Sequence, residues 1–291
     1  MQKPRVIAEI GQNHNGSMDI LLEILSVCAA AKVDFVKFQT RTPDLDTPLD
    51  MWDKPRRPPW NMDIEIPYIE YRRKMELTKE NYYTINEHCK KLNIQWSTSC
   101  WGVEAFDFIT SIGIDLPALK VPSAKLTNEQ LVRKMAAWSK ASDRELWVSL
   151  GMSTVEETDA AVAWLKDELG DRFLSNVVLF NCNSSYPAKT SELNLSLIHW
   201  LKERYDNCRV GYSSHSTTLG TTTSAMYLGY EMVEVHVTFD RSAPGSDHEG
   251  SLNYWGIFKL MSGFKDLEQA YGDGFKRVYD SEIPFRKKLR G

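Results

Sequence analysis

Two histidines near the ends of predicted strands have the residue type and spacing for metal chemistry. His215 and His236 lie at the ends of two β-type runs, and Ser213 and Glu234, two residues before them, share their face of each strand. Glu9 and Asp247 add carboxylates to the same region of the predicted fold. A lone histidine at a strand end is more often structural. Two imidazoles at equivalent levels, with carboxylates nearby, predict a divalent first-row metal with open positions for water or substrate.

Two lysines at the ends of other predicted strands indicate anion binding. A buried ammonium group is costly unless something anionic compensates it, so Lys37 and Lys120 are expected to hold a group such as phosphate. The alternative for each lysine is an ion pair with a neighbouring carboxylate. Other polar residues at the strand ends are Gln39, Ser97, Thr98, Ser123, Ser149, Asn181, Asn183, Tyr186, Ser213 and Glu234.

Eight β-type runs are available to position these residues. Most are followed by a helical pattern, such as Met18 to Ala31 or Thr154 to Leu169. Strands alternating with helices pair in parallel, and eight such units in 291 residues predict an α/β fold, the (β/α)8 TIM barrel, with its active site at the carboxyl ends of the strands. An open doubly wound sheet is the alternative, but the sequences GxGxxG and GxxxxGK[ST] are both absent. The runs are Arg5 to Ile10, Phe35 to Phe38, Ile94 to Thr98, Ala118 to Val121, Leu146 to Leu150, Val177 to Asn181, Arg209 to Ser213 and Met232 to Val237.

One long connection interrupts the alternation of strands and helices. Thr40 to Tyr71 holds six of the twelve prolines, and it includes Trp52, Trp60, Arg56 and Arg57. Long ordered connections often serve as lids or binding loops, so this segment is predicted to close over a polar substrate. A surface excursion packed by its own aromatic residues is the alternative. The domain prediction is therefore a barrel at 1–275 with an insertion at about 40–75, followed by a basic C-terminal tail at 276–291.

Composition excludes several classes of function. Lys and Arg number 35 against 39 Asp and Glu, a net charge of −4 that gives no general attraction to nucleic acid. Apolar stretches are shorter than the roughly 20 residues of a membrane-spanning helix, and a cytoplasmic, untargeted protein is expected. The five cysteines show no CxxC spacing, which argues against disulfides and a thiolate zinc site.

Seven short strings of this sequence resemble motifs of the sialic acid synthase family. The similar strings occur in the family's order and span nearly the whole chain. The first and last of them are the most specific, whereas GYSSHS departs from the family's usual sequence at Ser214 and Ser216. They are IAEIGQNHNG (7–16), VKFQ (36–39), KVPS (120–123), SLGMS (149–153), CNSSYP (182–187), GYSSHS (211–216) and VEVHVTFDRSAPGSDHEGS (233–251).

The resemblance implies a transferase of carbohydrate biosynthesis. Such a synthase condenses phosphoenolpyruvate with an N-acyl hexosamine or related aldose, giving a sialic-acid-like 2-keto sugar acid and phosphate. It would use manganese, with magnesium or cobalt as alternatives, bound by His215 and His236 beside Glu9. The positions that match phosphoenolpyruvate-binding or site-lining residues are Lys37, Thr98, Lys120, Ser123, Ser149, Asn183, Ser184, Tyr186 and Ser213, and those that match sugar-proximal residues are Gln39, Tyr186 and Asp247.

Two departures from the family pattern affect the expected acceptor. Lys125 stands where the family usually has a glutamate associated with the acylamino sugar. The chain also ends where the family's small antifreeze-like domain would begin, so a homodimer is expected, or a separate chain that supplies this domain. The alternatives are a synthase for a phosphorylated or acidic sugar, which Lys125, Arg56 and Arg57 would favour, and a non-catalytic sugar-binding barrel.

Overall fold

The eight predicted strands form a closed parallel barrel. The computed structural model describes residues 2–290. In chain order its strands are β1 (Arg5–Glu9), β2 (Phe35–Thr40), β3 (Pro55–Arg56), β4 (Ile66–Pro67), β5 (Gln95–Cys100), β6 (Ala118–Val121), β7 (Glu145–Ser149), β8 (Val177–Cys182), β9 (Arg209–Ser214) and β10 (Met232–His236). The barrel order is β1-β10-β9-β8-β7-β6-β5-β2, and β3 and β4 form a separate antiparallel pair. The predicted (β/α)8 barrel is confirmed.

Helices surround the barrel, and their sequences explain where they begin. Ser17 and Thr154 cap the helices that begin at Met18 and Val155, and Thr154 forms a capping box with Glu157. The helices are α1 (Met18–Ala30), α2 (Pro43–Asp46), α3 (Tyr68–Met75), α4 (Lys79–Leu92), α5 (Val103–Ser111), α6 (Glu129–Ser142), α7 (Val155–Leu169), α8 (Phe173–Asn176), α9 (Leu197–Arg204), α10 (Leu219–Leu228), α11 (Tyr254–Tyr271) and α12 (Ile283–Arg290). No helix within residues 2–290 is both long and apolar enough to cross a membrane.

Alternation along the strands divides the interior into two levels. Phe35 and Trp147 meet edge to face inside the barrel at 5.1 Å between ring centroids. They belong to an apolar cluster with Ile7, Ala118, Val178, Phe180 and Met232 that fills the lower interior. The next inward positions toward the carboxyl ends of the strands are polar, for example Glu9 and Lys37. The barrel therefore presents its polar side chains above a packed apolar floor.

The long insertion is packed largely by its own aromatic residues. Trp60 stacks on Tyr71 at 5.8 Å between ring centroids, and the Arg56 guanidinium lies 5.2 Å from the Tyr71 ring. Trp52 donates a hydrogen bond to the Thr47 carbonyl. For these side chains the structure favours the self-packed alternative over a surface that binds sugar.

The predicted basic tail lies beyond α11 at the protein surface. Its last residue, Gly291, is outside the described residues. Every residue from 276 to 290 is exposed, including those of α12.

Candidate active site

A cavity of 220 Å³ opens at the carboxyl ends of the barrel strands. Its location matches that of active sites in (β/α)8 barrels. Most of the site residues predicted from sequence lie in its wall. These are Glu9, Lys37, Gln39, Lys120, Ser123, Ser149, Ser184, Tyr186, Ser213, His215 and His236.

Two lysines and two glutamates form a charge network at the base of the cavity. Lys37 Nζ lies 2.5 Å from Glu9 Oε2 and 3.8 Å from Glu234 Oε2, and it donates a hydrogen bond to Ser99 Oγ. Lys120 Nζ lies 2.8 Å from both carboxylate oxygens of Glu234. The alternative of an ion pair for each lysine is therefore present in the structure, because Lys37 pairs with Glu9 and Glu234 and Lys120 pairs with Glu234. Anion binding by the two lysines stays a prediction.

Burial and ion pairing act in opposite directions on these groups. Burial lowers the pKa of Lys120 despite the neighbouring Glu234. Burial would raise the pKa of Glu234, but Lys120 and Lys37 outweigh it and lower that pKa to about 2. Burial is the dominant influence on Glu9 and raises its pKa despite Lys37. Glu234 is thus ionised, and it pairs with the ammonium groups of both Lys37 and Lys120.

A glycine allows three polar side chains to meet beside this network. Gly11 has a φ of +54°, and a Cβ there would lie 3.2 Å from Gln39 Nε2, 3.2 Å from Glu9 Oε1 and 3.3 Å from Asp247 Oδ2. Gln39 Nε2 donates to Glu9 Oε1 at 3.0 Å. A side chain at position 11 would be strained by its backbone and crowded by all three neighbours.

The two histidines point the same ring nitrogen at one position. Tyr186 Oη lies 2.8 Å from His215 Nε2 and 3.4 Å from His236 Nε2. On the opposite side of the rings, His215 Nδ1 faces the Asn183 carbonyl, and His236 Nδ1 lies 3.7 Å from Asp247 Oδ2. Burial lowers the pKa of His236 to about 4, which keeps this imidazole neutral at neutral pH.

These donors suit a divalent metal ion in part. Convergent Nε2 atoms, with each Nδ1 directed toward an oxygen, form the arrangement of metal-binding histidines and their supporting acceptors. The Tyr186 hydroxyl stands between the two Nε2 atoms. Among residues 2–290 no group of three His, Cys, Asp or Glu side chains is placed to hold a metal ion. Any further ligand would have to come from water, from substrate or from a side chain that moves.

A small hydroxyl-lined cradle occupies another side of the cavity. Gly151 N donates to Ser123 Oγ at 3.2 Å. A Cβ at Gly151 would lie 2.3 Å from Ser184 Oγ and 2.8 Å from Ser123 Oγ. Only glycine leaves both hydroxyls in place, and Ser149 lines the same cavity. Closely spaced hydroxyl and amide donors are suited to oxygen atoms of an anion.

Four predicted site residues lie away from the cavity wall. Thr98 faces the helix layer, where its hydroxyl contacts that of Thr40 at 2.8 Å. The predicted strand ended at Thr98, whereas β5 continues to Cys100 and places Ser99 in the cavity. Alternation therefore assigns the inward position to Ser99 and corrects the Thr98 prediction.

The other three, Asn183, Asp247 and Lys125, make contacts near the cavity rim. The Asn183 amide donates to the Glu192 carbonyl, and Asp247 lies beside Gly11 with its Oδ2 3.7 Å from His236 Nδ1. Lys125 forms an ion pair of 3.2 Å with Asp46, the last residue of α2. Glu129, the first residue of α6, accepts a hydrogen bond from Arg133.

Sequence reasoning left several cavity residues without an assigned role. Glu234 was noted only as a polar strand residue, and Ser99 lay beyond the predicted strand. Cys182 lines the cavity as well, and its Sγ lies 3.9 Å from His215 Nδ1. Trp101 also lines the cavity. Extending the inward alternation of β5 and β8 by two residues would have indicated Ser99 and Cys182.

Comparison with known proteins identifies the family. A model described as the NeuB family matches residues 24–276. The chain belongs to the NeuB family. Its relatives include the N,N'-diacetyllegionaminic acid synthase of Legionella pneumophila, 30% identical over 98% of this chain and 78% of that protein. The N-acetylneuraminate-9-phosphate synthase of Drosophila melanogaster is also 30% identical, over 98% of this chain and 79% of that protein.

A solved structure agrees with this assignment. The N-acetylneuraminic acid (sialic acid) synthetase of Leptospira borgpetersenii, in complex with citrate, aligns with a TM-score of 0.78 and 26% identity, over 99% of this chain and 93% of that one. The predicted resemblance to sialic acid synthases is confirmed. This NeuB protein is an enzyme of the sialic acid synthase type, and the alternative of a non-catalytic sugar-binding barrel is excluded.

Proposed function

We propose that this NeuB protein condenses phosphoenolpyruvate with an aldose, an N-acyl hexosamine or related sugar, to give a sialic-acid-like 2-keto sugar acid and phosphate. The observation that carries the proposal is that two buried lysines, the serines of the hydroxyl cradle and the paired histidines all line one cavity. At 220 Å³ the cavity is smaller than the roughly 300–1,000 Å³ of drug-sized ligand sites. It therefore suits one small anion, with the sugar entering from the open end.

Phosphoenolpyruvate would bind in the cradle and on the lysines. Ser123 and Ser184 offer hydroxyl donors for its oxygens, with the Ser123 oxygen held by the Gly151 N–H, and Lys120 can turn one of its protons from Glu234 toward the ligand. The two lysines are already balanced by two glutamates, so a highly charged substrate requires additional positive charge in the site.

A divalent ion would supply that charge. His215 and His236 would hold it, and it would act as a Lewis acid toward the aldehyde oxygen of the sugar. We propose manganese, with magnesium or cobalt as alternatives. His236, neutral because of its burial, is in the protonation state that metal binding requires.

Glu9 is proposed to act as the general base that takes up a proton from the attacking water. The enol carbon of phosphoenolpyruvate attacks the aldehyde carbon, a carbon–carbon bond forms, and positive charge develops at the neighbouring carbon. Water adds there and gives its proton to Glu9, whose burial raises its pKa and favours proton uptake. Glu9 passes this proton to the alkoxide formed from the aldehyde oxygen, which becomes a hydroxyl of the product. The carbon–oxygen bond to phosphate then breaks, the new hydroxyl gives up its proton to the departing phosphate, and the 2-keto acid remains.

Lys125 has a different environment from the one expected for recognition of an acidic sugar. Its ion pair with Asp46 neutralises the ammonium group at the rim. A neutral N-acyl aldose is therefore the acceptor that this rim favours over a phosphorylated one. The homodimer, the separate chain for the small domain and the cytoplasmic location stay predictions.

Phosphate release tests the proposed function. The protein is incubated with phosphoenolpyruvate and manganese across a panel of aldoses that includes N-acetylmannosamine and its 6-phosphate, and products are identified by mass. We expect acceptor-dependent phosphate release, and loss of turnover in His215→Ala and His236→Ala with the fold retained. Equal metal occupancy in the native protein and the double substitution would contradict the assignment of these two ligands.

A further inference from the structure

Arg41 lies outside the cavity wall and contacts two residues that line the cavity. Its Nη2 donates to Gln39 Oε1 at 2.6 Å, and its guanidinium carbon lies 3.2 Å from the Trp101 ring centroid. Within residues 2–290 no Asp or Glu side chain lies within 4.0 Å of its guanidinium nitrogens as an ion-pair partner. Its buried Nε also has no hydrogen-bond partner among these residues. The strongest polar contact of this cation is thus a neutral amide.

That contact determines which end of the Gln39 amide faces Glu9. A glutamine amide can be rotated by half a turn with little change in shape, and its hydrogen-bond partners decide the orientation. Arginine only donates, so it requires the oxygen Oε1. The amide nitrogen is then left to donate to Glu9 Oε1 at 3.0 Å. The reversed amide would oppose donor to donor at Arg41 and acceptor to acceptor at Glu9.

Arg41 is itself held firmly enough to impose this orientation. It follows β2 directly, so that its side chain shares a face with that of Gln39 two residues earlier. Its backbone N–H donates to Glu76 Oε2 at 3.0 Å, and its planar side chain stacks on Trp101. Two contacts besides the amide, one at the Arg41 backbone and one at its side chain, therefore restrain this residue.

We infer that Arg41 is a positioning residue of the synthase, which acts through the Gln39 amide to hold the Glu9 carboxylate in its reactive orientation. The inference rests on the proposed function of Glu9, because it names what keeps that carboxylate in place. Glu9 is fixed on its other oxygen by Lys37, so Arg41 and Lys37 together set the plane of the carboxylate.

A double-mutant cycle tests whether Arg41 acts through Gln39. Arg41→Met is expected to lower kcat/KM about tenfold to 100-fold, mainly through kcat, which is the size expected for loss of a hydrogen bond from a charged group. In the Gln39→Ala background the same substitution should cost less than about twofold, since its target is gone. Arg41→Lys, which retains a cationic donor at this position, should recover part of the loss. Equal losses from Arg41→Met in both backgrounds would overturn the inference and indicate direct contact with substrate or a general structural role.

A second readout does not depend on activity. In protein labelled with nitrogen-15 at glutamine, the side-chain amide signals of Gln39 are assigned by their disappearance in Gln39→Ala. Arg41→Met should move them toward the positions of solvent-exposed glutamines and accelerate their exchange with water at least about tenfold. Unchanged signals would overturn the inference even in a protein whose proposed reaction had failed the phosphate assay.

A matched control uses another arginine stacked on a tryptophan. Arg204 lies 5.2 Å from the Trp200 ring centroid and pairs with Asp159 on the outer helices, away from the cavity. Arg204→Met should leave the Gln39 signals and kcat/KM at native values. A comparable change in this variant would show that the effect of Arg41→Met is not specific.

Discussion

Lys120→Met is expected to lower both the free energy of unfolding and the affinity for phosphoenolpyruvate, and the two losses have separate causes. Lys120 lies 2.8 Å from both oxygens of Glu234, and both side chains are only 4% exposed. Without it, Glu234 retains only Lys37 as a cation, at 3.8 Å. Removing one partner of a buried ion pair costs about 3–5 kcal/mol, so the free energy of unfolding should fall by about that amount.

Adding Glu234→Gln to Lys120→Met separates the two effects. The double variant leaves the Lys37 and Glu9 pair intact and removes the unpaired charge, so most of the lost stability should return. Phosphoenolpyruvate binding should not return, because the ammonium group that contacts the anion is still absent. A charge-assisted hydrogen bond of about 1.5–3 kcal/mol corresponds to about a tenfold to 100-fold increase in Kd.

Urea unfolding and isothermal titration calorimetry with manganese measure these quantities. Glu234→Gln alone is the control, and it should bind phosphoenolpyruvate at least as tightly as the native protein because Lys120 is released. The KM of the sugar should change much less than the Kd of phosphoenolpyruvate. An unchanged Kd in the folded double variant would refute the placement of phosphoenolpyruvate on Lys120.

Three further predictions concern separate parts of the protein. Burial lowers the pKa of His14 to about 4, so its contribution to stability is present above about pH 6.5 and is lost as the pH falls toward 4. From pH 7.5 to pH 5 the free energy of unfolding, measured by denaturant titration, should fall by about 2 kcal/mol more in the native protein than in His14→Asn. Equal losses in the two proteins would contradict this. Gly151→Ala should raise the KM of phosphoenolpyruvate about tenfold, because the new Cβ displaces two serine hydroxyls. Gly220→Ala, whose Cβ would meet open space, should leave this KM unchanged, and equal KM values in the two variants would argue against the cradle. Lys125→Glu places like charges against Asp46 and should weaken the use of N-acetylmannosamine, which Asp46→Lys in the same chain should restore by re-forming the ion pair. Identical acceptor profiles in all three proteins would exclude a role of this pair in specificity.

The barrel could be predicted because each strand carries its own signal. Alternating residues such as Ile7 and Glu9, or Phe35 and Lys37, reveal one face of a strand without knowledge of its neighbours. The site histidines were found for the same reason, since their position at strand ends is a local property. The resemblance assigned Thr98 to the site, whereas Ser99, its neighbour in β5, is the residue that lines the cavity, because successive residues of a strand face opposite sides.

Pairing across the barrel could not be predicted from local pattern. Lys120 and Glu234 are separated by 114 positions in sequence, and only closure of the barrel brings them within hydrogen-bond distance. Lys125 and Asp46 likewise meet because the insertion folds back on the rim. The sequence therefore indicated which residue types gather at the strand ends, whereas their charge balance required the three-dimensional arrangement.

The fate of one oxygen atom tests the central claim most directly. Phosphoenolpyruvate labelled with oxygen-18 at the bridging position is incubated with the enzyme, manganese and the best acceptor of the panel, and the released phosphate is examined by phosphorus NMR. The proposed condensation breaks the carbon–oxygen bond, so the phosphate should carry the label and should form only when the sugar is present. Unlabelled phosphate, or labelled phosphate released equally without a sugar, would contradict the proposed condensation.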